Sequence, residues 1–430
     1  MNWAVCSRFR VLWRSELWLD RYMALPNRSK EHRLALVLTS YLCYHVTDMI
    51  VLGIETSCDE TSVGIVELNN PAQGAVLHAN AVLSSMELHT KYGGVVPEIA
   101  AREHIKAMPI VIEKAFEQAG MSWKDIDAIS VTNGAGLGGS LLVGVMTART
   151  LAITQNKPLY ACNHVEGHVY ANFVTKVSST FNSQFPISKQ NSTAGYQLPQ
   201  TIPQFPILAL IVSGNHTQLV LFKDHFDYRL LGQTHDDAIG EAFDKCAKIT
   251  GLPYPGGPSI AAKAKEGDTQ AFDLPKAKMP GKYDFSFSGV KTATLRQAQA
   301  MCGEDFTFPS KNLPERLSEP QKANIAAVFQ RVAIETVVDK TALAYEEFGP
   351  ASVIIAGGVA ASTELRRQLS ERLPIDINYA DIKLCTDNGA MIACLGAYKA
   401  LLDQPKADPY SLEINPNLSM KPQLNISQPK

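Results

Sequence analysis

The feature that most constrains the fold of this 430-residue chain is a pattern that occurs twice: an apolar run, a polar turn and a second apolar run. The first copy spans residues 50–68 and the second spans residues 205–222. Short runs rich in β-branched residues and separated by polar turns predict β-hairpins. Because each hairpin opens a long segment of mixed helix and strand patterns, the repetition predicts an internal duplication and two related α/β lobes.

The composition agrees with a globular protein of this kind. Apolar residues make up 46 % of the chain and charged residues 19 %, as in proteins that bury a core. The net charge of −2 gives no indication of a nucleic-acid-binding surface. The eight cysteines include no C-x-x-C pair, which argues against a zinc finger and favours reduced thiols in a cytosol-like compartment. We therefore expect a cytoplasmic protein.

The first 48 residues differ from the rest, with three of the four tryptophans and many arginines. They also contain acidic residues, which transit peptides usually lack. The apolar stretch 34–46 is shorter than the roughly 20 residues that a membrane helix needs. Residues 1–48 are therefore predicted to form a poorly ordered extension, with a mitochondrial presequence as the alternative.

The remaining boundaries follow from changes of pattern along the chain. Lobe I is predicted over residues 49–172 and is completed by a C-terminal helix at about 387–402. Residues 173–204 are rich in Ser, Thr, Asn, Gln and Pro, which predicts an exposed insertion. Lobe II is predicted over 205–386, and residues 403–430 are expected to form a surface tail.

Two histidines have a spacing that metal sites use. His164 and His168 are four residues apart, which places both on one face of a helix. Asp387, expected between a strand and a helix, would complete a facial set suited to iron or zinc. The alternatives are a structural histidine pair and an aspartate that caps the helix. Val165 stands where a metalloprotease of the H-E-x-x-H type has its catalytic glutamate, which argues against proteolysis.

Polar turns and glycines provide candidate ligands for a nucleotide. The turns 55–61 and 213–218 could present backbone N–H groups to phosphate oxygens, and Gly357–Gly358 follows a strand and opens a helix. Each of these is also compatible with an ordinary turn. Asp237 and Asp244 are predicted on one helix face, where acidic residues form surface ion pairs or hold Mg²⁺ or ribose hydroxyls.

Nine segments occur together in a fixed order between about residues 49 and 400. They are Gly53–Thr61, Tyr92–Glu98, Gly138–Gly144, His164–His168, Gly240–Lys245, Tyr254–Pro258, Phe285–Gly289, Ala356–Val359 and Cys385–Ile392. In this order they closely resemble the TsaD family, the tRNA N6-adenosine threonylcarbamoyltransferases formerly called O-sialoglycoprotein endopeptidases or glycoproteases.

The resemblance implies an actin-like ATPase (ASKHA) fold, with two duplicated RNase H-like lobes around a nucleotide cleft. It implies one divalent metal, with iron favoured and zinc possible, held by His164, His168 and Asp387. It also implies that ATP or an adenylate lies in the cleft. The residues implied to bind that substrate are Ile211, Val212, Ser213, Gly214, Asn215, Asp244, Gly257 and Ser362.

The reaction implied is the transfer of threonylcarbamoyl from threonylcarbamoyl-AMP to the N6 amine of adenosine 37 in tRNAs that read codons beginning with A. AMP is the other product. The resemblance further implies a smaller paralogous subunit (TsaB-like) and an ATPase subunit (TsaE-like) as partners, and no membrane. The residues themselves identify no general base.

The chain departs from the family pattern at four positions. Asn215 replaces a usual Gly, Ser362 replaces a usual Asn, Asn163 stands where many bacterial members have His, and Ala135 stands where Pro is common. The changes at 215 and 362 put nucleotide affinity in doubt. Two other interpretations therefore stay open: a phosphotransferase of the same fold, and a scaffold paralogue without catalytic activity.

Overall fold

The computed structural model describes residues 48–181, 196–199 and 201–420. Nearly all of the predicted N-terminal extension lies outside these residues. The strands are β1 (Met49–Glu55), β2 (Glu60–Leu68), β3 (Ala75–Ser84), β4 (Ala128–Gly134), β5 (Leu159–Asn163), β6 (Val174–Val177), β7 (Ile207–Val212), β8 (Thr217–Asp224), β9 (Asp227–Gln233), β10 (Ser352–Ala356) and β11 (Ile377–Tyr379).

The helices of the described part are connected by short loops. They are α1 (Met86–Thr90), α2 (Pro97–Ala119), α3 (Gly138–Thr154), α4 (His164–Tyr170), α5 (Ile239–Thr250), α6 (Gly256–Ala264), α7 (Ser288–Met301), α8 (Leu313–Arg316), α9 (Glu319–Phe348), α10 (Thr363–Arg372), α11 (Ile382–Cys385) and α12 (Gly389–Leu401). None of the described helices is long and apolar enough to span a membrane.

The first sheet has the strand order β5-β4-β1-β2-β3-β6. β1, β2 and β3 pair antiparallel, whereas β4 lies parallel to β1 and β5 lies parallel to β4. The predicted hairpin is therefore confirmed, with β1 and β2 as its arms. Successive residues of β1 alternate between two apolar cores, since Val51 belongs to one and Leu52 to the other.

The second sheet repeats the same arrangement, in the order β11-β10-β7-β8-β9. β7, β8 and β9 pair antiparallel, while β10 lies parallel to β7 and β11 parallel to β10. Both sheets thus share the order 5-4-1-2-3 when their first five strands are numbered along the chain. This confirms the predicted internal duplication and the mixed α/β, actin-like fold.

Helix α12 covers one face of the first sheet, although it lies more than 300 residues after β1 and β2 in sequence. A Cβ atom added to Gly53 or Gly64 would overlap the backbone of Ala393 or Ala390 in this helix. Ser130 Oγ on β4 donates to the carbonyl oxygen of Ile392 at 2.9 Å. The absence of side chains at the two glycines therefore allows α12 to lie directly on the strands.

Helices α2 and α3 cover the opposite face of the first sheet, with Met108 and Val145 in its apolar core. In the second lobe, the long helix α9 packs against α5, α6, α7 and α10. Its first turn has a complete capping box, in which Ser318 and Gln321 satisfy each other's backbone N–H groups.

The predicted insertion at 173–204 is wrong at its start. Phe173 is buried, and the next four residues form β6, which pairs parallel with β3. A strand that completes a sheet edge must hydrogen-bond to its neighbour, so this segment cannot be a free loop. Residues 182–195 and 200, within the predicted insertion, lie outside the described residues.

The described part of the tail follows the surface of the first lobe. Ala407 N donates to Leu159 O at 2.8 Å. The Arg149 guanidinium on α3 donates to the carbonyl oxygens of Pro409 and Tyr410, both at 2.6 Å. Backbone contacts thus help to fix the path of the tail, and Leu412 and Ile414 in it also pack against the apolar core of the first lobe.

Candidate metal centre and substrate cleft

The two histidines of the predicted metal site lie on α4, as their spacing indicated. Helix α4 begins directly after β5, and Asn163 caps it by accepting a hydrogen bond from Val165 N at 2.9 Å. His164 and His168 are both buried, and their ring centroids are 4.7 Å apart. Asn163 thus stabilises the first turn of the helix that carries the cluster.

Asp387 joins these histidines, but its local structure differs from the prediction. The residues before it form the short helix α11 and not a strand, and Asn388 rather than Asp387 caps α12. The Asn388 side-chain oxygen accepts from Met391 N at 2.9 Å. Because the cap is provided by the neighbouring residue, the Asp387 carboxylate is available to the histidines.

The three side chains form a compact donor set. Asp387 Oδ1 lies 3.5 Å from His164 Nε2 and 3.2 Å from His168 Nε2. One donor atom from each residue lies within 4.8 Å of the others. Both ring nitrogens of His168 are buried without a hydrogen-bond partner among the described residues. A buried imidazole nitrogen without a partner is costly, and a divalent metal would satisfy the one beside Asp387, so the residues fit a metal ion.

The electrostatics of the cluster favour a cation. Burial lowers the pKa of His164, but the carboxylates of Asp387 and Glu55 outweigh burial and raise that pKa to about 9. Although burial raises the pKa of Asp387, the two histidines hold it well below its ordinary value. Two carboxylates thus stabilise positive charge at a site enclosed by protein.

Glu55 is a residue of this site that the sequence did not reveal. It is fully buried at the end of β1, and its Oε2 lies 3.1 Å from His164 Nδ1. Ser57 N and Thr132 Oγ1 donate to the same carboxylate at 2.5 Å each. Since an ionised carboxylate only accepts, His164 Nδ1 carries a proton, and Nε2 is therefore the nitrogen that the neutral ring could offer to a metal.

Replacing Glu55 with glutamine is expected to weaken binding of a divalent metal by about 10–100-fold. An amide can place its NH₂ group against His164 Nδ1 and favour the wrong tautomer. The dissociation constant is measurable by chelator competition with Zn²⁺, and Glu67→Gln on the neighbouring strand is the control. Equal affinities for wild type and Glu55→Gln would show that Glu55 does not orient the ligand.

The predicted substrate-binding turn connects β7 and β8 in the second lobe. Ser213 N donates to His216 O at 2.8 Å, which closes the turn around Gly214 and Asn215. Ile211 and Val212 precede it as fully buried strand residues, so their side chains belong to the core. Ile211 and Val212 could therefore contact a substrate only through their backbone atoms.

The Gly-Gly element after β10 lies against this turn. Gly357 has a φ of +90°, and a Cβ atom there would overlap the carbonyl oxygen of Val212. Ser362 then caps α10, since its Oγ accepts a hydrogen bond from Leu365 N at 3.3 Å. The serine at 362 therefore has a structural role, whether or not it contacts a nucleotide.

Asp244 and Gly257 are connected through the N-terminal turn of α6. One carboxylate oxygen of Asp244 accepts from Gly256 N at 2.6 Å, and burial raises the pKa of Asp244. The space beside the Gly257 Cα is open. Asp237 forms ion pairs with Lys245 and Lys291, both at 2.6 Å, so its charge is already compensated. Of the two acidic residues, Asp244 is the better candidate for a ligand contact.

His216 is a second residue that the sequence analysis did not single out. It belongs to the second lobe, and its ring centroid lies 6.0 Å from that of His164 in the first lobe. Burial, together with His164 and His168, lowers the pKa of His216 to about 3. Only its position directly after Asn215, in the turn predicted to bind the substrate, could have drawn attention to it.

Comparison with known proteins identifies relatives for nearly the whole described chain. The family model "TsaD: tRNA N6-adenosine threonylcarbamoyltransferase" matches residues 76–189 and 186–394. Proteins named tRNA N6-adenosine threonylcarbamoyltransferase from Thermomicrobium roseum and Dehalococcoides mccartyi are 45 % and 41 % identical. They cover 82 % and 86 % of this chain, which in turn covers 92 % and 99 % of them.

A solved structure also aligns with the chain at low identity. It is the activator of the 2-hydroxyisocaproyl-CoA dehydratase from Clostridium difficile with bound ADPNP. The two share 13 % sequence identity and align with a TM-score of 0.41, over 83 % of this chain and 96 % of the activator.

Proposed function

We propose a function from one premise: the chain belongs to the TsaD family of tRNA N6-adenosine threonylcarbamoyltransferases. It is accordingly an acyltransferase of tRNA threonylcarbamoyladenosine modification. In the specific reaction that we propose, threonylcarbamoyl-AMP donates its acyl group to the N6 amine of adenosine 37, in tRNAs that read codons beginning with A. AMP leaves, and the reaction takes place in the cytoplasm.

The observation that carries this proposal is the cluster of His164, His168 and Asp387. We propose that these residues hold one divalent metal, iron in preference to zinc. When bound, such an ion supplies a Lewis acid and a template for substrate oxygens. The three donors lie within 4.8 Å of one another, and Glu55 fixes the ring of His164 by a hydrogen bond of 3.1 Å.

The second lobe would hold the adenylate. Its proposed contacts are Ile211, Val212, Ser213, Gly214, Asn215, Asp244, Gly257 and Ser362. Backbone N–H groups of the turn that begins at Ser213 could bind the phosphate and stabilise charge on the departing AMP. An exocyclic adenine amine is a weak nucleophile, so holding it close to the acyl carbon would provide most of the rate enhancement.

The decisive experiment follows labelled threonylcarbamoyl from its adenylate into unmodified tRNA. The protein is assayed alone and with TsaB-like and TsaE-like subunits, and nucleoside analysis identifies the modified adenosine. Labelled threonylcarbamoyladenosine at position 37 would support the proposal. A metal-loaded protein that transfers no label under any partner condition would contradict it and favour the scaffold interpretation.

The partner that we propose is the smaller, similarly folded subunit, bound to lobe I. Five of the eleven exposed large apolar residues in the described part lie on two neighbouring helices, α2 and α3. These five are Ile105, Ile110, Leu142, Met146 and Ile153. Such a cluster is typical of a protein–protein interface.

Replacing Leu142 and Met146 together with lysine is expected to abolish the complex with the smaller subunit. Both side chains are about half exposed, at 50 % and 46 %, so the fold should tolerate the change within about 0.5 kcal/mol per site. Light scattering after size-exclusion chromatography measures the complex. Phe306→Lys, in the second lobe, is the control, and a complex that survives the double substitution would exclude this surface.

A further inference from the structure

His216 extends from the second lobe toward the cluster of the first. It stands at the end of the turn between β7 and β8, and its ring centroid lies 6.0 Å from that of His164 at an interplanar angle of 44°. The rings of His164 and His168 are 4.7 Å apart. The second lobe thus places one imidazole beside the pair of imidazoles that lie next to Asp387.

These spacings can be compared with those of imidazoles that share an ion. With metal–nitrogen bonds of about 2.0–2.1 Å, two ligating rings have centroids roughly 4.5–5.5 Å apart. The separation of His164 and His168 falls in this range. His216 is outside it by less than about 1 Å, a distance that a small approach of the lobes would close.

The backbone of the second lobe holds His216 in this position. His216 N donates to Ser213 Oγ at 3.0 Å, and Ser213 N donates to His216 O at 2.8 Å. Gly240 N, at the start of α5, donates to Ser213 O at 3.2 Å. The ring itself has no hydrogen-bond partner in the part of the chain that the structure describes. The backbone of His216 is therefore fixed, and its ring nitrogens are not occupied by hydrogen bonds to the described residues. Both features suit a metal ligand.

We propose that His216 is a fourth protein ligand of the metal, contributed by the second lobe. A neutral imidazole donates a nitrogen lone pair, which would complete a set of three imidazoles and one carboxylate. This inference rests on the proposed metal function of His164, His168 and Asp387. It extends that function, because the ion would then connect the first lobe to the turn that is proposed to bind the adenylate.

The test uses Co²⁺ as the probe, added to metal-free full-length protein without tRNA or adenylate. The visible absorption of Co²⁺ depends on the number and type of its ligands. His216→Ala is expected to change this spectrum and to weaken Co²⁺ binding by about 10–100-fold. His235→Ala removes an exposed histidine from the same lobe and should leave both unchanged.

A second variant tests the same contact by the appearance of a new absorption band and not by the loss of Co²⁺ binding. In His216→Cys, a thiolate that reaches the ion is expected to add a sulfur-to-cobalt charge-transfer band in the near ultraviolet. The wild type, which retains Cys58 in the turn 55–61, gives the background absorption of the native thiols. This variant stays informative even if His216→Ala is poorly folded.

Two results would overturn the inference, and they can be told apart. If wild type binds Co²⁺ but His216→Ala matches it in spectrum and affinity within twofold, and His216→Cys adds no band, then His216 is not a ligand and the three-residue site stands. If wild type binds no Co²⁺ at one ion per chain, the metal part of the proposed function fails together with this inference. Because the Co²⁺ spectrum and the Co²⁺ affinity are measured without tRNA or adenylate, a protein that fails to transfer the acyl group for another reason would give the same values.

Discussion

Replacing His168 with alanine is expected to reduce acyl transfer to tRNA by at least about 100-fold, because Lewis-acid stabilisation is worth several kcal/mol and each 1.4 kcal/mol is a factor of ten. Of the two histidines proposed as ligands, His168 is the one whose buried ring nitrogens make no hydrogen bond to the described residues. Its removal leaves His164 and Asp387, which cannot hold the ion in a defined geometry.

The measurement combines initial rates of label transfer with metal content per chain by mass spectrometry. His235→Ala serves as the matched control, because its side chain is 52 % exposed and pairs with Asp284. Full activity in His168→Ala would exclude a role for this cluster in transfer. An inactive variant that retains one tightly bound metal per chain would place the defect elsewhere in the cleft.

Introducing a methyl group at Gly64 is expected to lower the free energy of unfolding by about 3 kcal/mol, at the upper end of the range for overpacked cores. The new Cβ atom would overlap backbone atoms of Gly389 and Ala390 in α12. No side chain can rotate away to relieve this overlap, so the helix must move off the sheet. Because Asp387 lies two residues before α12, metal affinity should fall as well.

Thermal unfolding of Gly64→Ala measures the first effect, and a decrease in Tm of at least about 5 °C is expected. Zn²⁺ affinity by chelator competition measures the second. Gly94→Ala is the control, since a Cβ atom there would meet nothing within 4 Å. An unchanged Tm in Gly64→Ala would mean that α12 is held less rigidly than its contacts indicate.

The sequence predicted the parts of the fold that depend on local pattern. Both hairpins appear where apolar runs flank polar turns, and α4 carries its two histidines on one face. The duplication then accounts for the strand order that the two sheets share. Strand β6 was missed because it has only four residues and borders a polar segment, so its pairing with β3 outweighs its weak local signal.

The parts of the site that were missed depend on contacts between distant residues. Glu55 and His164 are 109 positions apart, and no spacing rule connects them. His216 belongs to the other lobe, and only the folded chain brings its ring near His164. The sequence offered Asp387 as an alternative cap of α12 and not Asn388, because Asp and Asn are equally good N-cap residues and the two stand side by side.

The position of α12 has a consequence for how the protein is made. The sheet of the first lobe is complete in outline once residue 177 has been synthesised, yet one of its faces stays uncovered until residues 389–401 leave the ribosome. During translation of the whole second lobe, the nascent chain therefore exposes an apolar surface that chaperones would recognise. Asp387 emerges in the same late segment, so the cluster cannot form on a partly translated chain. Translation products that end before this helix and the residues just ahead of it would lack both a closed core and the proposed ligand Asp387.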